Sequence, residues 1–209
     1  MDRRTALKNL SIGLGYTVAT PTIFNMLASC HAEVETWTPL FFSPVEKHMV
    51  THMVDIILPT TDTPGALDVN VPQFIDLMYH DVEKDENKNL FKAGAKVFSE
   101  KYKAQFNKEA SKGSKKNFEQ LLTDYFSLSE KEITQLLKTQ KIAPEKVSST
   151  EIDDYNLYKF LLSVRSYTIF GYSTSEKIGE EILAYDPIPG AYKGCITLDE
   201  ATGGKLWSL

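Results

Sequence analysis

Cysteine is scarce in this chain of 209 residues, which contains only Cys30 and Cys195. Two thiols cannot supply the ligands of an all-cysteine iron–sulfur cluster, so that class of redox protein is excluded. Basic residues are also in the minority, since 23 Lys and Arg stand against 28 Asp and Glu and leave a net charge of −5. This acidic balance excludes an electrostatic basis for binding nucleic acid.

The sequence also lacks the usual signatures of cofactor and nucleophile sites. No Gly-x-Gly-x-x-Gly run follows a strand pattern, which excludes a dinucleotide site of the Rossmann kind. No Cys-x-x-Cys-His run occurs, so no c-type haem is attached covalently. The run 171–175 begins like a nucleophile elbow, but it ends in Ser and follows a helix where the elbow needs a strand. We therefore predict no catalytic residue, and we interpret Gly171 as a helix stop followed by Ser173 or Ser175 as an N-cap.

The N-terminus has the layout of an export signal, which we assign to residues 1–29. A cationic head is followed by an apolar run over residues 11–26, which is shorter than the roughly 20 residues of a membrane-spanning helix. Arg3 and Arg4 resemble the twin-arginine signal, which exports folded proteins. The alternative is a chance arginine pair at the head of an ordinary signal.

The signal ends in Leu-Ala-Ser-Cys, which resembles the bacterial lipobox and predicts a lipid on Cys30. We expect the lipid to hold the mature chain on the periplasmic side of a membrane, with residues 30–42 as a tether. Cys195 then remains as the only thiol, and it is buried, free or bonded to a partner; of these we favour burial as a small hydrophobe. Because no internal disulfide can form, a packed core must stabilise the single domain that we assign to residues 43–209.

Helical patterns dominate this domain, and they predict a mostly α fold of about six to eight helices with ordered Pro/Gly-rich loops. Capping boxes at Ser43 and Ser129 each predict a helix start. We expect residues 85–89 and 111–116 to be weakly structured. Apolar residues at helical spacing predict helices over residues 45–57, 72–82, 90–106, 118–126, 133–137, 153–170 and 176–182.

One cluster has metal-ligand potential. His48, His52 and Asp55 are spaced to lie on one side of the first helix, and two histidines four residues apart can chelate a metal ion. The alternative is a solvated polar stripe, because no further ligand can be identified. A metal- or small-ligand-binding periplasmic lipoprotein is therefore the competing functional hypothesis.

Two segments rich in proline and glycine predict specific loop paths, because several positions in each restrict or free the backbone. They cover residues 59–66 and 185–195. We expect Asp62 and Asp186 to accept hydrogen bonds from nearby backbone N–H groups in Asx-turns. Such loops serve either as tight architectural turns or as rigid surfaces for a partner. The candidate partner-binding residues are Asp62, Pro64, Gly65, Tyr185, Asp186, Pro187, Pro189, Gly190, Tyr192 and Cys195.

Read in order, these segments resemble the gluconate 2-dehydrogenase subunit 3 family. The similarity is carried by the signal and by four runs: IILPTTDTPGA at 56–66, VPQFID at 71–76, GYSTSE at 171–176 and YDPIPGAYKGC at 185–195.

The resemblance implies a small accessory subunit without a redox centre of its own. A large flavoprotein of the glucose–methanol–choline (GMC) type carries FAD in such complexes, and a c-type cytochrome with haem often receives the electrons. It also implies an export mechanism, in which this chain escorts the folded flavoprotein through the twin-arginine route. The lipobox is a departure that adds a tethering role for Cys30.

Overall fold

The computed structural model describes residues 37–188, 190 and 194–208 of the chain. Contacts divide the chain into two units, residues 1–38 and 39–209, and every element below belongs to the second. Over the described residues the chain forms helices α1 (Pro44–Ile57), α2 (Val71–Leu77), α3 (Asp85–Phe106), α4 (Lys115–Phe126), α5 (Glu130–Thr139), α6 (Ile152–Ser173) and α7 (Leu198–Thr202). Single turns of π-helix cover Met78–Val82 and Ile178–Ile182, and short 3₁₀ helices cover Leu67–Val69, Ala110–Lys112 and Pro144–Lys146.

This architecture confirms the predicted mostly α fold. Within the described ranges, β-type pairing is limited to one isolated bridge between Ala184 and Trp207. None of the described helices combines the length and the apolar character that crossing a membrane requires.

Local capping chemistry sets the helix starts that the sequence predicted. The Ser43 backbone N–H donates to Glu46 at 2.7 Å, while the Ser43 hydroxyl accepts from the Glu46 N–H at 3.3 Å. Ser129 and Glu132 form the same reciprocal pair at the start of α5. Each box satisfies backbone donors that the first helical turn leaves exposed, so these two predictions are confirmed.

Two predictions about helix boundaries are wrong. Residues 85–89 are the first turn of α3, where Asp85 and Glu86 place negative charge at the positive end of the helix dipole. Gly171 does not stop α6, which continues to Ser173. Gly171 is buried, and a Cβ built on it would lie 2.5 Å from the Phe74 ring. The glycine therefore permits close packing of α2 on α6.

The core is centred on the crossing of α3 and α6. A Cβ built on Gly94 would lie 2.2 Å from the Asn156 carbonyl oxygen and 2.6 Å from the Phe160 Cβ, so the two helix backbones meet at a position that only glycine fits. On either side of this crossing, Phe91 and Phe98 of α3 hold their ring centroids 4.9 and 5.7 Å from that of Phe160. These rings are fully buried and supply much of the apolar area that folding removes from water.

A buried carboxylate fixes the chain just before α1. Asp76 of α2 is 1 % exposed and accepts hydrogen bonds from the backbone N–H groups of Leu40, Phe41 and Phe42 at 2.7, 3.0 and 2.8 Å. Lys92 closes the same corner, donating to the Phe41 carbonyl at 2.8 Å and pairing with the Glu46 carboxylate. The end of the predicted tether is thus bound to the domain through three backbone donors.

Candidate partner-binding surface

The first Pro/Gly-rich loop, residues 59–66, has a defined path. The Ala66 N–H donates to the Leu58 carbonyl at 2.8 Å, which closes the loop on the end of α1. A Cβ on Gly65 would lie 2.4 Å from the Thr60 nitrogen, so the two arms of the loop approach as closely as glycine allows. The Tyr172 hydroxyl of α6 donates to the Pro64 carbonyl at 2.8 Å and holds the loop against the C-terminal end of that helix.

The acceptor that fixes this loop is Asp68, which the sequence reasoning missed. Its carboxylate accepts from the Thr60 hydroxyl at 2.6 Å and from the Gly65 N–H at 2.7 Å. These two bonds, with a smaller contribution from the Lys177 charge, lower the pKa of Asp68. Asp62 is exposed and, within the described residues, makes no hydrogen bond, so its predicted Asx-turn is wrong. Aspartate three positions after glycine was the available signal, because its side chain reaches back to that N–H.

The second loop begins at Tyr185, and its described residues are exposed to solvent. Tyr185 is 51 % exposed and Ile188 is 83 % exposed, and Asp186 and Pro187 are exposed as well. Gly190 has open space around it.

The structure describes only some of the other predicted residues of this loop. Pro189 and Tyr192 lie outside the described residues. Cys195 is an exposed free thiol, which overturns the expectation that it is a buried hydrophobe.

Both loops meet the same structural element, the segment 172–180 at the end of α6. Tyr172 binds the first loop, and Lys177 acts on its Asp68. Tyr185 of the second loop lines a cavity of about 260 Å³ together with residues 173–176, Gly179, Glu180 and Ser208. The two Pro/Gly-rich loops are therefore neighbours, because both contact the segment that ends α6.

The hydroxyl groups of this segment cap the end of α6. Ser173 and Thr174 donate to the Phe170 carbonyl at 3.1 and 2.8 Å, and Ser175 donates to the Tyr172 carbonyl at 2.7 Å. The same two carbonyls also accept the backbone N–H groups of Thr174 and Ser175 at 3.0 and 3.2 Å, so the hydroxyls add second donors to them. The predicted side-chain N-cap by Ser173 or Ser175 is therefore wrong, because each hydroxyl serves the preceding helix.

The histidine cluster packs inward against α4. The rings of His48 and His52 meet edge to face with centroids 4.6 Å apart, and His52 stacks on Phe118 at 5.5 Å. The His48 Nε2 lies 2.8 Å from the Gly113 carbonyl, and Asp55 pairs with Lys115 at 2.6 Å.

The surroundings of the two histidines shift the pKa of His52, and they also test the predicted metal site. Burial and the His48 charge lower the pKa of His52, with Asp55 opposing and Lys115 adding to the effect. Across the part of the chain that the structure describes, no group of three or more His, Cys, Asp or Glu side chains is placed to hold a metal ion.

A second polar cavity, of about 180 Å³, lies beside Tyr79, Lys159 and Ser163. The Tyr79 hydroxyl is hydrogen-bonded to Ser163, and burial raises the pKa of Tyr79 to about 12, so the phenol stays protonated. The volume falls below the roughly 300–1,000 Å³ of ligand pockets, so this cavity is too small for a flavin.

Comparison with known proteins gives one result. The family model described as gluconate 2-dehydrogenase subunit 3 matches residues 44–190, which include both loops up to Gly190. No curated protein and no solved structure gives a significant match. Arg3, Arg4 and Cys30 lie outside both the match and the described residues.

Proposed function

Because the chain belongs to the gluconate 2-dehydrogenase subunit 3 family, an accessory subunit of that enzyme, we propose that it escorts and tethers a flavoprotein. The partner is a large GMC-type subunit that carries FAD and oxidises gluconate or a related sugar. This chain contributes binding surface, an export signal and an anchor, and it takes no part in the oxidation. The family match over residues 44–190 is the observation that carries the proposal.

The contact surface that we propose combines the two Pro/Gly-rich loops at the end of α6. Supporting this, Pro64 is fixed by a long-range hydrogen bond from Tyr172, and Tyr185 stands on the same end of the helix with half of its surface exposed. Rigid loops lose little conformational entropy on binding, which favours recognition. Tyrosine also provides the large amphipathic contact that interfaces favour.

In this proposal Arg3 and Arg4 direct export through the twin-arginine route, which accepts a folded passenger with FAD already bound. A lipid on Cys30 then holds the complex on the periplasmic side of a membrane. FAD belongs to the partner, and haem c belongs to a cytochrome where a third subunit is present.

A pull-down tests the complex. The full chain with a C-terminal tag is purified from detergent-solubilised native membranes, and the eluate is read by absorbance and mass spectrometry. We expect a flavin spectrum and a large flavoprotein in stoichiometric amount. A colourless eluate containing this chain alone would refute the proposal.

Fractionation tests the escort role. We expect the double substitution Arg3→Lys and Arg4→Lys to leave the flavoprotein's activity in the cytoplasm, because the twin-arginine route requires the pair. Arg165→Lys, an exposed position on α6, is the matched control and should leave export intact. Unchanged periplasmic activity in the double variant would contradict the escort role without affecting the complex itself.

A further inference from the structure

After the second loop the chain turns back, and residues 206–208 pair with Ala184, just before the loop begins. The Ala184 N–H donates to the Leu206 carbonyl at 2.8 Å, and the Ser208 N–H donates to the Ala184 carbonyl at 2.9 Å. Gly203 and Gly204, with φ of 62° and 78°, turn the chain back after α7. These backbone bonds place residues 206–208 beside Tyr185, beyond the end of the family match at residue 190.

Large apolar side chains on this paired backbone face solvent. Leu206 is 77 % exposed and Trp207 is 53 % exposed, next to the half-exposed Tyr185. Exposed apolar groups that form a patch on a protein surface mark interaction sites. Tryptophan and tyrosine are also the residues that most often dominate binding energy.

Among the described residues of 176–208, exposed carboxylates outnumber exposed lysines by six to two. Lys177 and Lys205 are the exposed basic residues between positions 176 and 208 of the described chain. None of the carboxylates in this region forms an ion pair within the described residues. The exposed carboxylates are Glu176, Glu180, Glu181, Asp186, Asp199 and Glu200.

We propose that Tyr185, Leu206 and Trp207, with the surrounding carboxylates, form a C-terminal surface that docks onto the FAD-carrying subunit. The complementary face of that subunit is an apolar pocket bordered by Lys and Arg. This inference rests on the proposed function and adds to it a specific contact outside the family match. The surface continues the loop surface, since Tyr185 and Ser208 line one cavity with residues 173–176, Gly179 and Glu180.

The acidic charge of this surface favours the flavoprotein over two other partners, an anionic membrane and a second copy of this chain. An anionic lipid surface would repel the carboxylates. A second copy of this chain would bring the same acidic border opposite itself across a two-fold axis, and like charges facing each other in an interface are unfavourable. A protein face with basic residues around an apolar pocket satisfies both parts of the surface.

The experiment compares capture of the flavoprotein by tagged full-length variants. We expect Leu206→Ala with Trp207→Ala to lower the apparent affinity at least tenfold, because the apolar anchors are lost. Ile133→Ala with Leu137→Ala is the matched control, since these α5 residues are 42 % and 48 % exposed, and it should bind as the wild type does. Circular dichroism confirms that each variant is folded.

Charge reversal gives a second test that leaves the apolar anchors in place. Glu176→Lys with Glu180→Lys should weaken capture severalfold, and added salt should weaken wild-type capture in parallel. Glu119→Lys, on the exposed side of α4, should have no effect.

The outcomes separate this inference from the proposed function. If both sets of variants capture the flavoprotein as well as the wild type does, the C-terminal surface is refuted and the accessory role stands. Failure of the wild type to capture any flavoprotein would overturn both. Light scattering that shows a dimer dissociated by Trp207→Ala, with flavoprotein capture unchanged, would assign the surface to a second copy and refute the inference.

Discussion

Removing the Asp76 carboxylate should be among the most destabilising single changes in this domain. Asp76→Ala leaves three backbone N–H groups without their acceptor, and the one on Phe42 is buried. Hydrogen bonds to a charged group contribute about 1.5–3 kcal/mol each, but the three share one side chain and are not additive. We therefore expect the free energy of unfolding to fall by about 3–5 kcal/mol.

Asp76→Asn sharpens the test because it preserves the volume of the side chain. Its carbonyl oxygen can replace Oδ1, which accepts from Phe41 and Phe42, but its amide group faces the Leu40 donor. We expect a loss of about half the alanine value, roughly 2 kcal/mol. Asp62→Asn is the control, since that exposed carboxylate makes no hydrogen bond within the described chain, and it should stay within about 0.5 kcal/mol.

Urea unfolding followed by circular dichroism measures these differences, with a constant m-value as the check that the unfolded state is unchanged. The loss of stability should be largest for Asp76→Ala, smaller for Asp76→Asn and smallest for Asp62→Asn, because this order follows the number of hydrogen-bond acceptors that each variant loses. A loss below about 1 kcal/mol for Asp76→Ala would refute the reasoning, because one unsatisfied buried donor, here the Phe42 N–H, costs about 1–3 kcal/mol by itself.

Three further predictions concern the first loop, the histidine pair and the helix crossing. Asp68→Ala should lower the free energy of unfolding by about 1 kcal/mol because two acceptor interactions are lost, whereas Asp62→Ala should leave it unchanged in urea unfolding. The folded pKa of His52 lies below the 6.5 of the unfolded chain, so the unfolded state binds more protons and stability should fall as the pH drops below about 6.5. Thermal melts from about pH 5.5 to about pH 8, where histidine titrates, measure this pH dependence of stability. It should be weaker in His52→Gln. Gly94→Ala should cost about 2–3 kcal/mol in urea unfolding because the helices must separate, while Gly179→Ala, with its nearest neighbour at 3.6 Å, should be neutral.

Each of these predictions has an opposing result. Equal losses at Asp68 and Asp62 would show that the loop is not fixed by the carboxylate at 68. A pH slope that persists in His52→Gln would assign the proton uptake to another group. Wild-type stability in Gly94→Ala would mean that α3 and α6 can relax apart without cost.

Features of the fold that depend on neighbouring residues could be predicted from the sequence. The capping boxes at Ser43 and Ser129 were identified because all their atoms come from four consecutive residues. The Asp76 clamp was missed because its donors lie 34 to 36 residues away, and no local pattern announces such a contact. Gly171 was misread for the same reason, since a helix stop and a packing glycine look identical until the opposing ring is known.

The candidate site shows a similar division. The sequence located both Pro/Gly-rich loops, because their composition restricts the backbone directly. It indicated the wrong acceptor in the first loop, Asp62 in place of Asp68, although the spacing of three residues between Gly65 and Asp68 was a local signal; only the bond from Thr60, eight residues away, depends on the path of the loop. The return of the chain from Ala184 to Trp207 could not be predicted, since a two-residue backbone pairing leaves no periodic pattern.

The position of α5 implies that the domain does not open as one unit. None of its side chains is buried, and the following turn is held to α6 by Gln140 and Lys159 through hydrogen bonds to backbone carbonyls. Such an element separates at low free energy, whereas the crossing at Gly94 yields only when the whole core is lost. Amide exchange should therefore be fast along α5 and slowest along α3 and α6, and a protease should cut first in the stretch that carries Ile133 and Leu137.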